Sequence, residues 1–198
     1  MTLKFPKKAA VATLAVSLCA YTLVQAQETP KPPKMVPEMT EFWEPEVRVI
    51  TPGNGAAAPS DALVLFDGKN LSQWKAKSDG SEAKWQVKDN AFTVGKGDIS
   101  TQKEFGDFQL HIEWSAPDEV KGTSQGRGNS GIFLQDRYEL QVLDSYNNRT
   151  YANGQAGSIY KQHRPLVNAT RKPTEWNVYD VIYTAPRFKD DCSVFTPA

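Results

Sequence analysis

The reading of this chain turns on residues 128–160, GNSGIFLQDRYELQVLDSYNNRTYANGQAGSIY, two short strands followed by a loop rich in Asn, Gly and Gln. In residues 138–143 (YELQVL) apolar and polar side chains alternate. Strand side chains change face at every residue, so Tyr138, Leu140 and Val142 share one face and Glu139 and Gln141 the other. A carboxylate and an amide thus stand side by side, with Asp144 and Ser145 at the strand's end. Such a row suits gripping or deprotonating a polyhydroxylated ligand.

The same two-residue period recurs on both sides of this stretch. Residues 107–116 (DFQLHIEWSA) set Phe108, Leu110, Ile112 and Trp114 against Gln109, His111, Glu113 and Ser115, and Pro117 ends the run. Residues 85–94 read as a hairpin turning at Lys88-Asp89-Asn90. Residues 62–66 (ALVLF) read as a short apolar strand stopped by the turn pair Asp67-Gly68, and residues 99–102 as a brief strand. Residues 175–186 supply another, with Asn177, Tyr179, Val181 and Tyr183 opposite Trp176, Val178, Asp180 and Ile182. No long helical period and no internal repeat is visible. Many short strands predict an all-β fold, a jelly-roll sandwich of two antiparallel sheets. Five Trp and nine Phe are available to fill the space between the sheets. One face of each sheet is expected on the core and the other free, carrying the polar rows.

The ends of the chain read differently. Lys4, Lys7 and Lys8 precede an apolar stretch of 16 residues, 9–24, and Val24-Gln25-Ala26 fits a signal-peptidase site. The stretch is short for a stable membrane span. Residues 1–26 are therefore expected to be a signal peptide that exports the protein to the periplasm or the medium. Cys19 lies inside the apolar run after Leu18, which argues against lipid attachment. Removing three lysines and no acid leaves 20 basic against 23 acidic side chains, net −3, with no basic stripe for a nucleic acid. Cys192 then stands alone, so no intramolecular disulfide forms and the core must carry the fold. Residues 27–60, rich in Pro, read as a leader or linker, with Phe42 and Trp43 expected to pack onto the domain of residues 61–198.

Five blocks carry a family resemblance: LFDGKNLSQW (65–74), KEFGDFQLHIEW (103–114), GNSGIFLQDRYELQVLDSY (128–146), NGQAGSIY (153–160) and PLVNATRKPTEWNVYDVIYTAPRF (165–188). In this order they resemble the 3-keto-disaccharide hydrolase domain family. The resemblance implies a concanavalin A-like lectin/glucanase sandwich, an exported bacterial protein, and cleavage of 3-keto-glycosides by a lyase/hydratase or hydrolase route. Members of that family continue past a point like Phe195-Thr196-Pro197-Ala198, so the sandwich is expected to be incomplete at its C-terminus. They also favour Gly in the turn that is Asp190-Asp191-Cys192-Ser193 here; Gly reaches positive φ freely, whereas Cys does so at a cost of order 1 kcal/mol.

A 3-keto sugar has an acidified C2–H, so its cleavage needs a base, a stabiliser for the enolate oxygen, and partners for the hydroxyls. Ordinary glycoside hydrolysis needs two carboxylates about 5–10 Å apart instead. No glucanase-like E-x-D-x-x-E run is present, and Glu139 and Asp144 alternate to opposite faces of a strand. The keto-sugar route fits these residues better. Glu139 is the first candidate, as base or metal ligand; an ordinary solvated carboxylate is the bland alternative. His111 is a second catalytic candidate and Asp144 a third, as second acid or turn-former. Gln141, Glu113, Asn129, Ser130, Arg137, Tyr160 and His163 are candidates for holding substrate. Arg137 is equally suited to pairing with Asp136, and Tyr160 and Trp74 to filling a core. His111, Glu113 and Glu139 would make a divalent-metal site if their strands were neighbours, although no zinc-like spacing is present. A lectin-like module with the same polar face but no turnover, and an inactive truncated relative, are the alternatives. The sequence leaves the cofactor, the oligomeric state and the exact sugar open.

Overall fold

The computed structural model describes residues 31–198 apart from Ala56. Residues 1–26, expected to form a signal peptide, and Cys19 within them lie outside the described residues. The chain divides into two compact units, Met1–Ser60 and Asp61–Ala198. In the first, the described residues hold one 3-10 turn, Pro37–Thr40, and an isolated bridge between Asn54 and Ala57. Phe42 and Trp43 are 92% and 83% exposed. Residues 31–60 form no strand ladder whose face would cover them.

The second unit is all β, with ten strands: β1 (Trp74–Ala76), β2 (Gln86–Lys88), β3 (Ala91–Thr93), β4 (Ile99–Thr101), β5 (Phe108–Ser115), β6 (Ser130–Leu134), β7 (Tyr138–Val142), β8 (Trp176–Tyr183), β9 (Arg187–Phe188) and β10 (Val194–Thr196). Every pairing is antiparallel: β1 with β4, β2 with β3, β5 with β8, β6 with β7, and β9 with β10. The architecture is that of an antiparallel sandwich, as the alternation predicts. The ladders are five two-stranded pairs rather than two continuous sheets, because most strands are short and run directly into turns.

The longest pair sets the core. β5 and β8 stay in register from Phe108 opposite Tyr183 to Ser115 opposite Trp176. Phe108, Leu110, Ile112 and Trp114 therefore share an inward face with Tyr183, Val181, Tyr179 and Asn177. Leu134, Tyr183 and Ala185 are buried together, with Phe108, Ile132, Tyr138 and Val181 packed against them, so this face of β5–β8 meets the apolar face of β6–β7. The Phe108 and Tyr183 rings stack with centroids 5.0 Å apart. Each large side chain buried here contributes roughly 1.5–3 kcal/mol.

Two hairpins turn through consecutive left-handed residues, Asp89 and Asn90 (φ 52° and 59°) between β2 and β3, and Gln135 and Asp136 (φ 50° and 57°) between β6 and β7. Such two-residue turns match the right-handed twist of the strands and fix their register. Gln135 carries no Gly-like freedom and is held by side-chain hydrogen bonds to the Phe105 carbonyl and from the Tyr183 hydroxyl, both 3.1 Å.

Residues 62–66 form no strand. Leu63 and Val64 are about half exposed. The Leu65 carbonyl instead accepts a hydrogen bond from the Trp74 indole at 2.8 Å. Around it Phe66, Trp74 and Trp85 surround Phe92, with centroids 4.9, 6.0 and 5.8 Å from it. Trp74 thus packs against this aromatic cluster, the core-filling use expected for it. In the terminal hairpin Cys192 adopts φ 64°, the left-handed position expected for that turn.

Candidate functional site

The β6–β7 hairpin builds the site. Its register sets Glu139 opposite Phe133 and Gln141 opposite Gly131. Gly131 is bare where the Glu139 side chain crosses it. A Cβ there would lie 2.8 Å from Glu139 Cγ and 2.9 Å from Cδ, and nearer still to Oε1. The Glu139 carboxyl therefore lies across the Gly131 backbone, half-buried. Burial disfavours its charged form and pushes its pKa above the usual carboxylate range.

The outer edge of β7 is covered by a loop segment rather than a strand. Gln141 N–H donates to Ser158 O at 2.9 Å, Gly157 N–H to Gln141 O at 2.9 Å, and Tyr160 N–H to Glu139 O at 2.8 Å. Leu140 bridges Ile159. This register places Tyr160 beside Glu139, and the Tyr160 hydroxyl hydrogen-bonds that of Tyr151. The Tyr151 ring lies over Gly154, where a Cβ would meet its Cδ2 at 2.7 Å. The Lys161 ammonium sits 5.6 and 5.7 Å from the Tyr151 and Tyr160 ring centres. The Tyr151 phenol is pushed up to about 12, first by the hydrogen bond with Tyr160, then by burial and by the negative charges of Tyr160 and Glu139. A carboxyl that resists ionisation, two coupled phenols and one cation thus occupy one open face.

Beneath it lies a polar layer. Gln141, Asp144, Ser145 and Ser158 are almost completely buried. Gln141 was expected on the free face. Its amide instead lies within 3.0 Å of Gln125 Oε1 and 3.2 Å of Asn129 Oδ1, so it supports the site from below and does not reach a sugar. Asp144 is 2% exposed and bound by the Arg127 Nε at 2.7 Å, while its other oxygen accepts from Tyr146 N–H at 3.2 Å. That carboxylate ties the loop together and is not free to act as a second acid. The Asn148 amide donates to Asp144 O and Ser124 O and accepts from Ser124 N–H, completing the layer.

The structure therefore brings together Glu139, Gln141, Asn129 and Tyr160, whereas Ser130 contributes its carbonyl only, its side chain falling on the face of Ile132 and Leu134. It does not gather the remainder. β5 pairs with β8 and β7 with β6, so the proposed metal set His111, Glu113 and Glu139 does not lie on adjacent strands. His111 Nδ1 meets Asp180 Oδ1 at 2.7 Å on the exposed face of β5–β8, and Glu113 is exposed beside it. Among the described residues no three His, Cys, Asp or Glu side chains cluster as a metal would require. Arg137 is exposed at the hairpin end, and its expected partner Asp136 pairs with Lys77 at 2.6 Å. His163 is exposed in the turn after Ile159. Two surface depressions, one among residues 64–73 and one among residues 76–99, contain none of these groups. Gly131, Tyr151, Lys161 and Gln125 join the site without being among the candidates above. Of these only Gly131 carries a sequence signal, since a Gly inside a strand marks a close approach of backbone.

This antiparallel β domain, whose hairpin presents one carboxyl beside paired tyrosines, matches carbohydrate-active, hydrolase-like domains in family and in known structure. The chain belongs to the family of 3-keto-alpha-glucoside-1,2-lyase-like domains, whose profile matches residues 61–192. It is similar to a candidate glycosyl hydrolase of known crystal structure from Parabacteroides distasonis, with 60% sequence identity, a TM-score of 0.77, and coverage of 82% of this chain and 71% of that one. A second candidate glycosyl hydrolase from the same organism shares 26% identity over 62% of this chain and 63% of its own, with a TM-score of 0.48. No functionally curated protein matches the chain. No helix among the described residues is long and apolar enough to cross a membrane.

Proposed function

We propose that this chain is an exported enzyme that cleaves 3-keto-glycosides by elimination, with Glu139 as its proton-handling group. The observation that carries this reading is the placement of the Glu139 carboxyl, seated over Gly131 in a partly desolvated position beside Tyr151, Tyr160 and Lys161. A carboxyl whose proton affinity is raised is a stronger base at neutral pH than an ordinary one. In this reading ionised Glu139 takes the proton from C2 of the keto sugar, and the electron pair moves onto the C3 carbonyl oxygen. One hydroxyl of the Tyr151–Tyr160 pair donates to the other, and the second is free to donate a hydrogen bond to that enolate, while Lys161 supplies positive charge. The enolate then re-forms its carbonyl, a C1–C2 double bond appears, and the C1–oxygen bond breaks. The proton now on Glu139 is available to the departing oxygen, and water adds to the enone afterwards. Direct hydrolysis is less well supported, because it needs a second free carboxyl and Asp144 is locked to Arg127. The signal-like residues 1–26 support export to the periplasm or the medium.

The test is release of free sugar from a 3-keto-disaccharide. The wild-type protein is expected to release it, and Glu139→Gln to do so about 10²–10⁴-fold more slowly. No release by the wild type, with or without added divalent metal, overturns the enzyme reading. Saturable binding of the same sugar in that case establishes a lectin-like module on the same face.

A further inference from the structure

We propose that Gln141 is a positioning residue that holds its amide oxygen on Glu139 and so biases that carboxyl toward its protonated form. The proposal rests on the reading of Glu139 as the proton-handling group, but the arrangement stands on geometry alone.

The argument starts from two backbone carbonyls, which only accept hydrogen bonds. Gln125 Nε2 donates to Gly154 O at 2.8 Å, and Asn129 Nδ2 donates to Gln125 O at 2.9 Å. These contacts fix which end of each amide is nitrogen. The Gln125 and Asn129 amide oxygens must then face Gln141, at 3.0 and 3.2 Å. Two acceptors there require Gln141 to present its NH2 to them. Its oxygen is left toward Ser130 O at 3.1 Å and Glu139 Oε1 at 3.2 Å.

With Glu139 ionised, three oxygens meet there with no hydrogen among them. A proton on Glu139 Oε1 converts the 3.2 Å approach into an O–H···O hydrogen bond to Gln141. Turning the Gln141 amide serves an ionised Glu139, since Nε2 then donates to both Glu139 Oε1 and Ser130 O. The turned amide opposes its oxygen to those of Gln125 and Asn129, which the carbonyls of Gly154 and Gln125 hold in place. Gln141 is 0% exposed, so bulk water does not relieve either conflict. The balance favours the proton. The other titratable groups of this face are the phenols of Tyr151 and Tyr160 and the ammonium of Lys161, and none of the three side chains hydrogen-bonds the Gln141 amide. When Glu139 takes a proton from substrate, a preset acceptor is waiting for it.

Asn129 is exposed, so Asn129→Ala removes one of the two anchors with little risk to the core. In the full chain, the Glu139 carboxyl titration followed by ¹³C NMR is expected to have its midpoint about one unit lower in this variant, since Gln141 is then freer to turn. The acid limb of the kcat/KM profile is expected to move the same way. An unchanged or higher midpoint overturns the proposal. A lowered midpoint in a protein that releases no sugar upholds the arrangement and overturns the enzyme reading instead. A second measurement needs no substitution. Cross-peaks from the Gln141 side-chain NH2 to the Asn129 Hβ protons are expected, and cross-peaks to the Glu139 Hγ protons in their place overturn the assigned orientation.

Discussion

Replacing Gly131 by Ala tests the site without removing any polar group. An added Cβ would stand 2.8 Å from Glu139 Cγ and 2.9 Å from Cδ. Carbon atoms rest at about 3.5–4.0 Å, so the side chain must retreat by about 0.7–1.2 Å or change rotamer. Misplacement of a reacting group by about 1 Å costs on the order of 10²-fold in rate. The backbone itself accepts Ala, because Gly131 is not among the positive-φ glycines. Ala in a strand gains roughly 0.5–1 kcal/mol over Gly in conformational entropy, which offsets the local displacement. The expected outcome is kcat/KM for sugar release about 100-fold below wild type, with an unchanged circular dichroism spectrum and a Tm within a few degrees. Gly131→Ala in a Glu139→Gln background should lose little more, since both changes act on one group. A Gly131→Ala protein that keeps kcat/KM within threefold of wild type refutes the claim that Glu139 works from its seat on Gly131.

Arg127→Met leaves the Asp144 carboxylate, 2% exposed, without its cation; a loss of about 3–5 kcal/mol in urea unfolding is expected, and a loss below about 1 kcal/mol would show that the polar layer does not depend on this pair. Tyr160→Phe removes the largest cause of the raised Tyr151 pKa and leaves burial and the Glu139 charge in place, so the phenolate absorbance of Tyr151 should move down from about 12 toward the ordinary 10.0; an unchanged titration argues against the phenol pair. Burial raises the folded-state pKa of Glu139 above its ordinary 4.5, so the stability it lends is complete below that value and is lost as pH rises through the folded pKa. Glu139→Gln should therefore match wild type in Tm below the ordinary carboxyl pKa, exceed it as pH rises through the folded pKa, and keep a constant margin above that; a gap independent of pH would contradict the shift.

The strands that the sequence displays best are those whose alternation is backed by a core on one side. Residues 107–116, 138–143 and 85–94 fold as read because Phe108, Tyr138 and Phe92 each have an apolar partner waiting. Residues 62–66 do not, since the apolar run is used as an anchor for the Trp74 indole rather than as a ladder. The face of Glu139 and Gln141 was legible, but their burial was not. A polar residue in an alternating strand reads as solvent-facing, and only the loops carrying Gln125 and Ser158 change that for Gln141. Those loops reach β7 from 16 and 17 positions away, with no local pattern to announce the contact. Asp144 illustrates the same gap, because its partner Arg127 is 17 residues upstream. Gly131 is the contrasting case: a Gly inside a strand marks a close approach, and here the approaching group is Glu139.

The core and the site are linked through register. A slip of one residue in β7 would move Glu139 and Gln141 inward and expose Tyr138 and Leu140, so burial of the apolar face specifies which residue meets Gly131. The left-handed pair Gln135 and Asp136 fixes the same register from the turn. Ile132, Leu134 and Tyr138 hold it by packing on Phe108, Val181 and Tyr183. The Tyr179 hydroxyl adds a hydrogen bond of 2.8 Å from β8 to the Gln141 carbonyl. The placement of one carboxyl over one glycine is thus decided by apolar contacts on the opposite face of the strand. Substitutions in that core are expected to disturb proton transfer to the extent that they loosen the hairpin, even though none of them touches the sugar.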